Sequence, residues 1–123
     1  MYIDLLTKIK NAQNAGKSTL KVLHTKADEA VLDILERRGF LKKTEVKGRG
    51  AKKVMEIALN PERPIQGVKF LSRPSLRRYA GYGALKKVKG GQGVLVISTP
   101  KGILSGGKAR EEKVGGVLLF EIW

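Results

Sequence analysis

Apolar residues in the first twenty-five positions change from helical to extended spacing. Within residues 2–16, Leu5, Ile9 and Ala12 recur every three or four positions, which predicts a helix with one buried face. Gly16 can end that helix, because glycine tolerates the left-handed backbone conformation common at helix ends. Residues 19–23 have the length and β-branched content of a short strand.

A second helix and a hairpin follow. The run Thr25-Lys26-Ala27-Asp28 resembles a capping box, in which the threonine hydroxyl binds a free backbone N–H of the first helical turn. Gly39 ends this helix, and residues 42–46 and 53–59 are predicted strands joined by the turn Gly48-Arg49-Gly50. The predicted buried stripe of the helix consists of Ala27, Val31, Ile34 and Leu35.

Residues 60–64 contain two prolines and divide the pattern. We therefore predict an N-terminal α/β domain, residues 1–62, and a C-terminal, mainly β domain, residues 63–123. In the second domain a strand is expected at 67–71, followed by an apolar strand at 94–97, a short apolar run, a basic turn of helix and a closing strand. The predicted fold class is α+β, with a helix–strand–helix–hairpin domain packed on a mostly antiparallel domain.

The distribution of charge indicates a polyanionic partner. The 123-residue chain has a formal net charge of +14, and no Asp or Glu occurs between Arg63 and Arg110. That window contains eleven cations, which favours a nucleic-acid surface over an ordinary solvated basic face. They are Arg63, Lys69, Arg73, Arg77, Arg78, Lys86, Lys87, Lys89, Lys101, Lys108 and Arg110.

The sequence offers little support for an enzyme or for a cofactor-binding protein. The segment Gly102–Ala109 approaches a phosphate-binding P-loop, but Ala109 stands where a magnesium-binding hydroxyl is needed. His24 is the single histidine and cysteine is absent, so neither an acid–base set nor a thiolate metal site can be assembled. We expect no enzyme, no cofactor and no metal. The N-terminus lacks the apolar region of a signal peptide, and no apolar run approaches membrane-spanning length, so a cytoplasmic location is expected.

Two features favour RNA binding, and each has a structural alternative. The segment Ser98-Thr99-Pro100-Lys101-Gly102 offers hydroxyls for sugars and base edges, a cation for phosphate and a glycine for close approach. A tight turn between two strands would also favour proline and glycine at these positions. Tyr79 could stack on a base, or it could be a half-buried strand tyrosine.

Three segments resemble the family of the eighth protein of the small ribosomal subunit. The strongest match has a fixed spacing near the C-terminus, the second covers residues 72–79, and the third is the N-terminal run around Asn11. The C-terminal matches are Ser98, Thr99, Gly102, Ile103, Leu104, Ser105, Ala109, Arg110, Val114, Gly115 and Gly116. Two departures are Pro100 in place of a third hydroxyl, and Val117 in place of the usual glutamate.

The resemblance implies a structural protein that binds the central domain of small-subunit rRNA and helps to organise the platform, beside ribosomal proteins five and twelve. Two alternatives remain: a translational repressor of its own mRNA, and a DNA-binding regulator that uses the acidic helix after Thr25. The predicted RNA-binding residues are Lys10, Asn11, Arg73, Arg77, Arg78, Tyr79, Ser98, Thr99, Pro100, Lys101, Gly102, Gly115 and Gly116.

Overall fold

The computed structural model describes residues 2–72, 75–85 and 92–123. The predicted contact Arg73 and the lysines Lys86, Lys87 and Lys89 lie outside the described residues. Backbone contacts divide the chain into two compact units, which we call unit 1 (Met1–Pro64) and unit 2 (Ile65–Trp123). This division falls two residues after the boundary expected from the prolines.

Unit 1 is a three-stranded antiparallel sheet with two helices. Its strands lie in the order β1-β3-β2, so β3 is central and β2 forms an edge. The elements are α1 (Tyr2–Asn14), β1 (Thr19–Leu23), α2 (Lys26–Arg37), β2 (Leu41–Lys47) and β3 (Val54–Leu59). The predicted helix–strand–helix–hairpin order is therefore observed, with β1 at the predicted residues.

Helix α2 begins where the sequence predicts but buries a slightly different stripe. The backbone N–H of Asp28 donates to Oγ1 of Thr25 over 3.0 Å, which satisfies one of the free donors of the first turn. Its buried residues are Asp28, Val31, Leu32 and Leu35, whereas Ala27 is exposed and Ile34 is half-buried. The predicted stripe was wrong at Ala27 and omitted Leu32, which lies one turn after Asp28 on the same face. Because Asp28 is charged, the sequence did not indicate that this face of the helix is buried.

Unit 2 is an antiparallel sheet built around its last strand. Strands β4 and β5 pair with one side of β8, β6 pairs with its other side, and β7 pairs with β6. Ala109 of α3 packs with Leu85, Leu95 and Ile97 in the core of this unit. The elements are β4 (Val68–Phe70), β5 (Arg78–Ala80), β6 (Val94–Thr99), β7 (Gly102–Ser105), α3 (Gly106–Glu111) and β8 (Gly116–Ile122). The α+β class is confirmed.

No helix in the described ranges is long and apolar enough to cross a membrane.

The three α-helices of the described residues end in the same Schellman motif. In each, a backbone N–H beyond the helix reaches a carbonyl of the last turn: Lys17 to Ala12, Phe40 to Leu35, and Val114 to Ala109, all over 3.0 Å. The motif needs one residue with positive φ. Gly16 and Gly39 supply it for α1 and α2, and Lys113, with φ of 55°, supplies it for α3. A side chain at this position is strained, because its Cβ crowds the following carbonyl.

Replacing Lys113 with glycine is expected to stabilise unit 2 by about 0.5–1 kcal/mol, because relief of the left-handed strain exceeds the added freedom of the unfolded chain. Lys113→Ala is the control, since it removes the same charge but retains Cβ, and it should bring no gain. Urea unfolding, followed by the fluorescence of Trp123, the single tryptophan, measures the stability of both variants. Equal midpoints for the two variants would contradict the strain argument.

Candidate nucleic-acid interface

Four side chains form a row across the sheet of unit 2. Val117 on β8 pairs with Tyr79 on β5 and with Ser98 on β6, and Ser98 pairs with Ile103 on β7. Directly opposed residues of neighbouring strands point to the same face of a sheet. We call Tyr79, Val117, Ser98 and Ile103 the Tyr79 row. Because adjacent strands are about 4.8 Å apart, the backbones of Tyr79 and Ser98 lie about 10 Å apart.

Tyr79 is the most exposed member of this row. It lies on a strand, as one interpretation of the sequence expected, but its exposed fraction of 74% excludes a half-buried ring. Val117, Ser98 and Ile103 are half-buried beside it. An exposed aromatic face next to an aliphatic side chain and a hydroxyl can stack one base and bind its edge.

The segment predicted as a binding loop is a two-residue hairpin turn between β6 and β7. Thr99 pairs with Gly102, and Pro100 and Lys101 form the exposed turn between them. The Oγ1 of Thr99 donates to the carbonyl of Gly102 over 2.7 Å and accepts from the N–H of Lys101 over 3.1 Å. The Thr99 side chain is buried, so its first role is to fix the turn. A role for Thr99 in RNA contact stays a prediction.

An ion-pair network joins this turn to the end of α3. The Nζ of Lys101 donates to Glu112 over 3.1 Å, and Nζ of Lys108 lies 3.5 Å from the other carboxylate oxygen. The hydrogen bond from Lys101, aided by Lys108, holds the pKa of Glu112 below its ordinary value. Ion pairs this exposed contribute little to stability. A phosphate can therefore replace Glu112 as the partner of Lys101 at small energetic cost.

Gly115 and Gly116 allow the strands of the interface to approach closely. A Cβ on Gly116 would lie 1.9 Å from the carbonyl oxygen of Ser98, and one on Gly115 would lie 2.3 Å from that of Ala80. No side chain fits at such distances from backbone atoms. These glycines therefore allow the strands of Tyr79 and Ser98 to lie beside β8. This close packing by itself accounts for glycine at both positions.

Arg78, the first residue of β5, and Arg77, which precedes it, are exposed. Arg78 pairs with Leu118, so its side chain projects from the face opposite to Tyr79. Its backbone N–H donates to Oγ of the buried Ser72 over 2.9 Å, which anchors the beginning of the strand. Both side chains are thus accessible to phosphate, and their contact with RNA stays a prediction.

A family model, "Ribosomal protein S8", matches residues 2–123. The chain belongs to the ribosomal protein S8 family. This confirms the resemblance seen in the C-terminal motif. The ribosomal protein S8 family is structural and non-enzymatic, so the protein is not an enzyme.

Curated relatives agree over nearly the full chain. "Small ribosomal subunit protein uS8" of Caldicellulosiruptor bescii is 41% identical, covering 98% of this chain and 94% of the relative. The protein of the same name from an Acidovorax species is 40% identical over 94% of this chain and 91% of its own. That of Persephonella marina is 36% identical, covering 98% and 95%.

Two predicted contacts of this S8-family protein lie in unit 1. Lys10 is half-buried and Asn11 is exposed, both on α1. Thr7, one turn earlier, uses its hydroxyl to donate to the carbonyl of Ile3 over 2.9 Å. Lys10 and Asn11 thus form a patch on a different unit from the Tyr79 row, and their contact with RNA stays a prediction.

The described part of this S8-family chain contains no group of three or more histidine or carboxylate side chains that could hold a metal ion. His24 instead lies 2.7 Å from the carboxylate of Glu29, beside the cap of α2.

Sequence reasoning missed Val117 as part of the candidate interface. It stood out only as a departure from the family, whereas the strand register places it between the two predicted contacts Tyr79 and Ser98. Sequence reasoning also treated Ser98 to Gly102 as one loop. The structure separates them into two strand ends, which position the side chains, and a turn, which presents Pro100 and Lys101.

Proposed function

We propose that this protein binds the central domain of small-subunit rRNA directly and helps to organise the platform during assembly. As a member of the ribosomal protein S8 family, it is a structural constituent of the ribosome. It is therefore located in the cytoplasm. The finer assignment concerns which RNA is bound, by which residues, and at which stage of assembly. Ribosomal proteins five and twelve are the proposed protein neighbours.

The observation that carries this proposal is the Tyr79 row beside the Pro100-Lys101 turn. An exposed aromatic ring, an aliphatic side chain and a hydroxyl lie on one face, and the adjacent turn offers a cation. Stacking and hydroxyl contacts suit an unpaired base and the sugar 2′-OH, which are features of structured RNA rather than of plain DNA duplex.

Charge supports the same choice of partner. Unit 2 contains eleven Lys and Arg against three Glu, a formal excess of eight positive charges. Phosphate contacts made by such a surface strengthen binding to any RNA, whereas contacts to bases and sugars discriminate between RNAs. We assign discrimination to the Tyr79 row, and general affinity to Lys101, Arg77 and Arg78.

Two RNAs of equal length test the proposal: a stem from the rRNA central domain and an unrelated stem-loop. For the central-domain stem, log affinity should fall with log salt by about 0.7–0.9 per phosphate neutralised. Ser98→Ala should weaken binding to that stem alone, by about 2- to 12-fold, the value of one hydrogen bond. Dissociation constants by filter binding at one fixed salt concentration measure this difference.

The control variant is Ser18→Ala, which alters an exposed serine of unit 1. It should leave both affinities unchanged. If Ser98→Ala lowers affinity for the two RNAs equally, the hydroxyl does not discriminate. A flat salt titration would remove the electrostatic part of the proposal.

A further inference from the structure

A groove of about 510 Å³ lies in unit 1 between α2 and the strands β2 and β3. Its walls are acidic: among the lining residues are four carboxylates and one cation, Lys26. Three of the carboxylates are on α2 and one is on β2: Glu29, Asp33, Glu36 and Glu45.

The charge of this groove is opposite to that of the protein around it. The chain has a formal charge of +14, and unit 1 alone has fourteen Lys and Arg against eight Asp and Glu. Without Glu45, whose side chain lies on the other face of the sheet, the groove lining has a formal charge of −2. Phosphate is repelled by such a lining, whereas a cationic group is attracted to it. The groove is therefore suited to a basic protein segment and unsuited to RNA.

The carboxylates of α2 lie along one line and are accessible. Glu29, Asp33 and Glu36 are four and three positions apart, which places them on one face of the helix along about 10 Å. The side chains of Glu29 and Asp33 are 52% and 50% exposed. Their present partners are His24 and Arg37, and an exposed pair such as Asp33–Arg37 exchanges readily for another cation.

The fourth carboxylate, Glu45, lines only the rim of the groove: it pairs directly with Glu56, so its side chain projects from the face of the sheet turned away from α2. Glu45 lies 2.6 Å from Nζ of Lys43, and this hydrogen bond lowers the pKa of Glu45, so the carboxylate stays ionised. Glu36 bridges the groove, because its Oε1 accepts from the backbone N–H of Thr44 over 3.0 Å. That contact fixes the distance between the helix and the edge strand.

An apolar surface continues from the core into the groove. Val46 pairs directly with Met55, so both project from the face of the sheet that packs on α2. Met55 is 1% exposed, whereas Val46 is 42% exposed, because it lies on the edge strand β2. An apolar side chain that docks here would extend the existing core.

We propose that this groove docks an extended, cationic segment of a neighbouring protein, with basic side chains at alternate positions and an apolar side chain over Val46. Alternate side chains of an extended chain are about 6.6–6.8 Å apart, close to the rise of about 6 Å between Glu29 and Asp33 on the helix. The proposal does not depend on RNA binding by unit 2.

A labelled heptapeptide of alternating arginine and valine is the probe, titrated with the full chain and followed by fluorescence anisotropy. A peptide of the same composition, with its arginines and valines in two blocks, tests the spacing. The double variant Glu29→Gln, Asp33→Asn should bind the alternating peptide about tenfold more weakly, the loss of two exposed charge pairs. Val46→Ser should weaken it several-fold without changing any charge.

The matched control is the double variant Glu62→Gln, Glu111→Gln, which makes the same change in net charge at two exposed positions outside the groove. It should retain the affinity of the unaltered protein. An equal loss in the control, or equal affinity for the block peptide, would show non-specific attraction and overturn the proposal.

Two further measurements distinguish other occupants. The groove variants should bind the rRNA stem at least as well as the unaltered protein, and a loss of RNA binding would assign the groove to RNA instead. Sedimentation of the protein alone should show one species in all variants. Self-association that disappears in the groove variants would assign the groove to a second copy of the chain. Urea midpoints confirm folding, and Val46→Ser serves alone if the double variant is unstable.

Discussion

Gly116→Ala is expected to lower the free energy of unfolding of unit 2 by about 3 kcal/mol. The added Cβ would lie 1.9 Å from the carbonyl oxygen of Ser98, 2.8 Å from its carbonyl carbon and 3.1 Å from Cα of Thr99. All three are backbone atoms of β6, so no side-chain rotation can relieve the contact. The end of β6 must move away from β8, which breaks pairing at the Tyr79 row. Urea unfolding followed by Trp123 fluorescence measures the loss.

Gly107→Ala is the matched control. Gly107 is exposed within α3, and no described atom lies within 4 Å of the place its Cβ would occupy. Alanine there should stabilise the protein by about 0.5–1 kcal/mol, because it restricts the unfolded chain and favours helix. Similar midpoints for the two variants would refute the close-approach argument. The opposite signs expected for one chemical change make the comparison sensitive.

Tyr79→Ala is expected to weaken binding to the rRNA stem by about 1–3 kcal/mol, roughly 5- to 150-fold, if the ring stacks on an unpaired base. Tyr79→Phe keeps the aromatic face and should lose much less. Because the side chain is 74% exposed, neither change should alter the fold appreciably. Dissociation constants for the three proteins, measured at one salt concentration, test the stacking.

A second exposed tyrosine, close to Tyr79 in the sequence, provides the control. Tyr82 is 45% exposed, lies in the short helical turn after β5, and is not part of the Tyr79 row. Tyr82→Ala should leave RNA affinity nearly unchanged. Losses of the same size for Tyr79→Phe and Tyr79→Ala would transfer the role to the hydroxyl group. Losses of the same size for Tyr82 and Tyr79 would indicate a general effect of aromatic surface.

Features that depend on neighbouring residues were predicted well from the sequence. The cap at Thr25, the strand Thr19–Leu23 and the end of α2 at Gly39 depend on the chemistry of a few adjacent positions. The C-terminal motif identified the family, and its glycines were recognised as important. The physical reason for these glycines was not recognised, because a contact between Gly116 and Ser98 exists only once two distant strands have paired.

The candidate interface required information about register that the sequence does not contain. Residues 117–120 are all apolar, so no alternation shows which of them share a face. In addition, the pairing of β6 with β8 shifts between Val96 and Ile97, which inverts the alternation beyond that point. Only the observed pairing therefore reveals that Tyr79, Val117 and Ser98 lie side by side.

The hairpin turn shows a different limit. Proline and glycine around Lys101 suit both a binding loop and a tight turn, and the sequence left these alternatives open. The hydrogen bonds of Thr99 favour the turn as its first role. Binding and turn geometry are compatible here, because a fixed turn presents Pro100 and Lys101 with little conformational freedom to lose.

The central place of β8 has a consequence for the order of folding during synthesis. Val68 of β4 pairs with Ile122, and Tyr79 of β5 pairs with Val117, so both early strands await a partner that is translated much later. All pairs of unit 1, in contrast, are complete by Leu59. Unit 1 can therefore fold while the nascent chain is still growing, whereas the sheet of unit 2 forms only after β8 has left the exit tunnel. Until then, the strand edges of β4, β5 and β6 remain open to unwanted association.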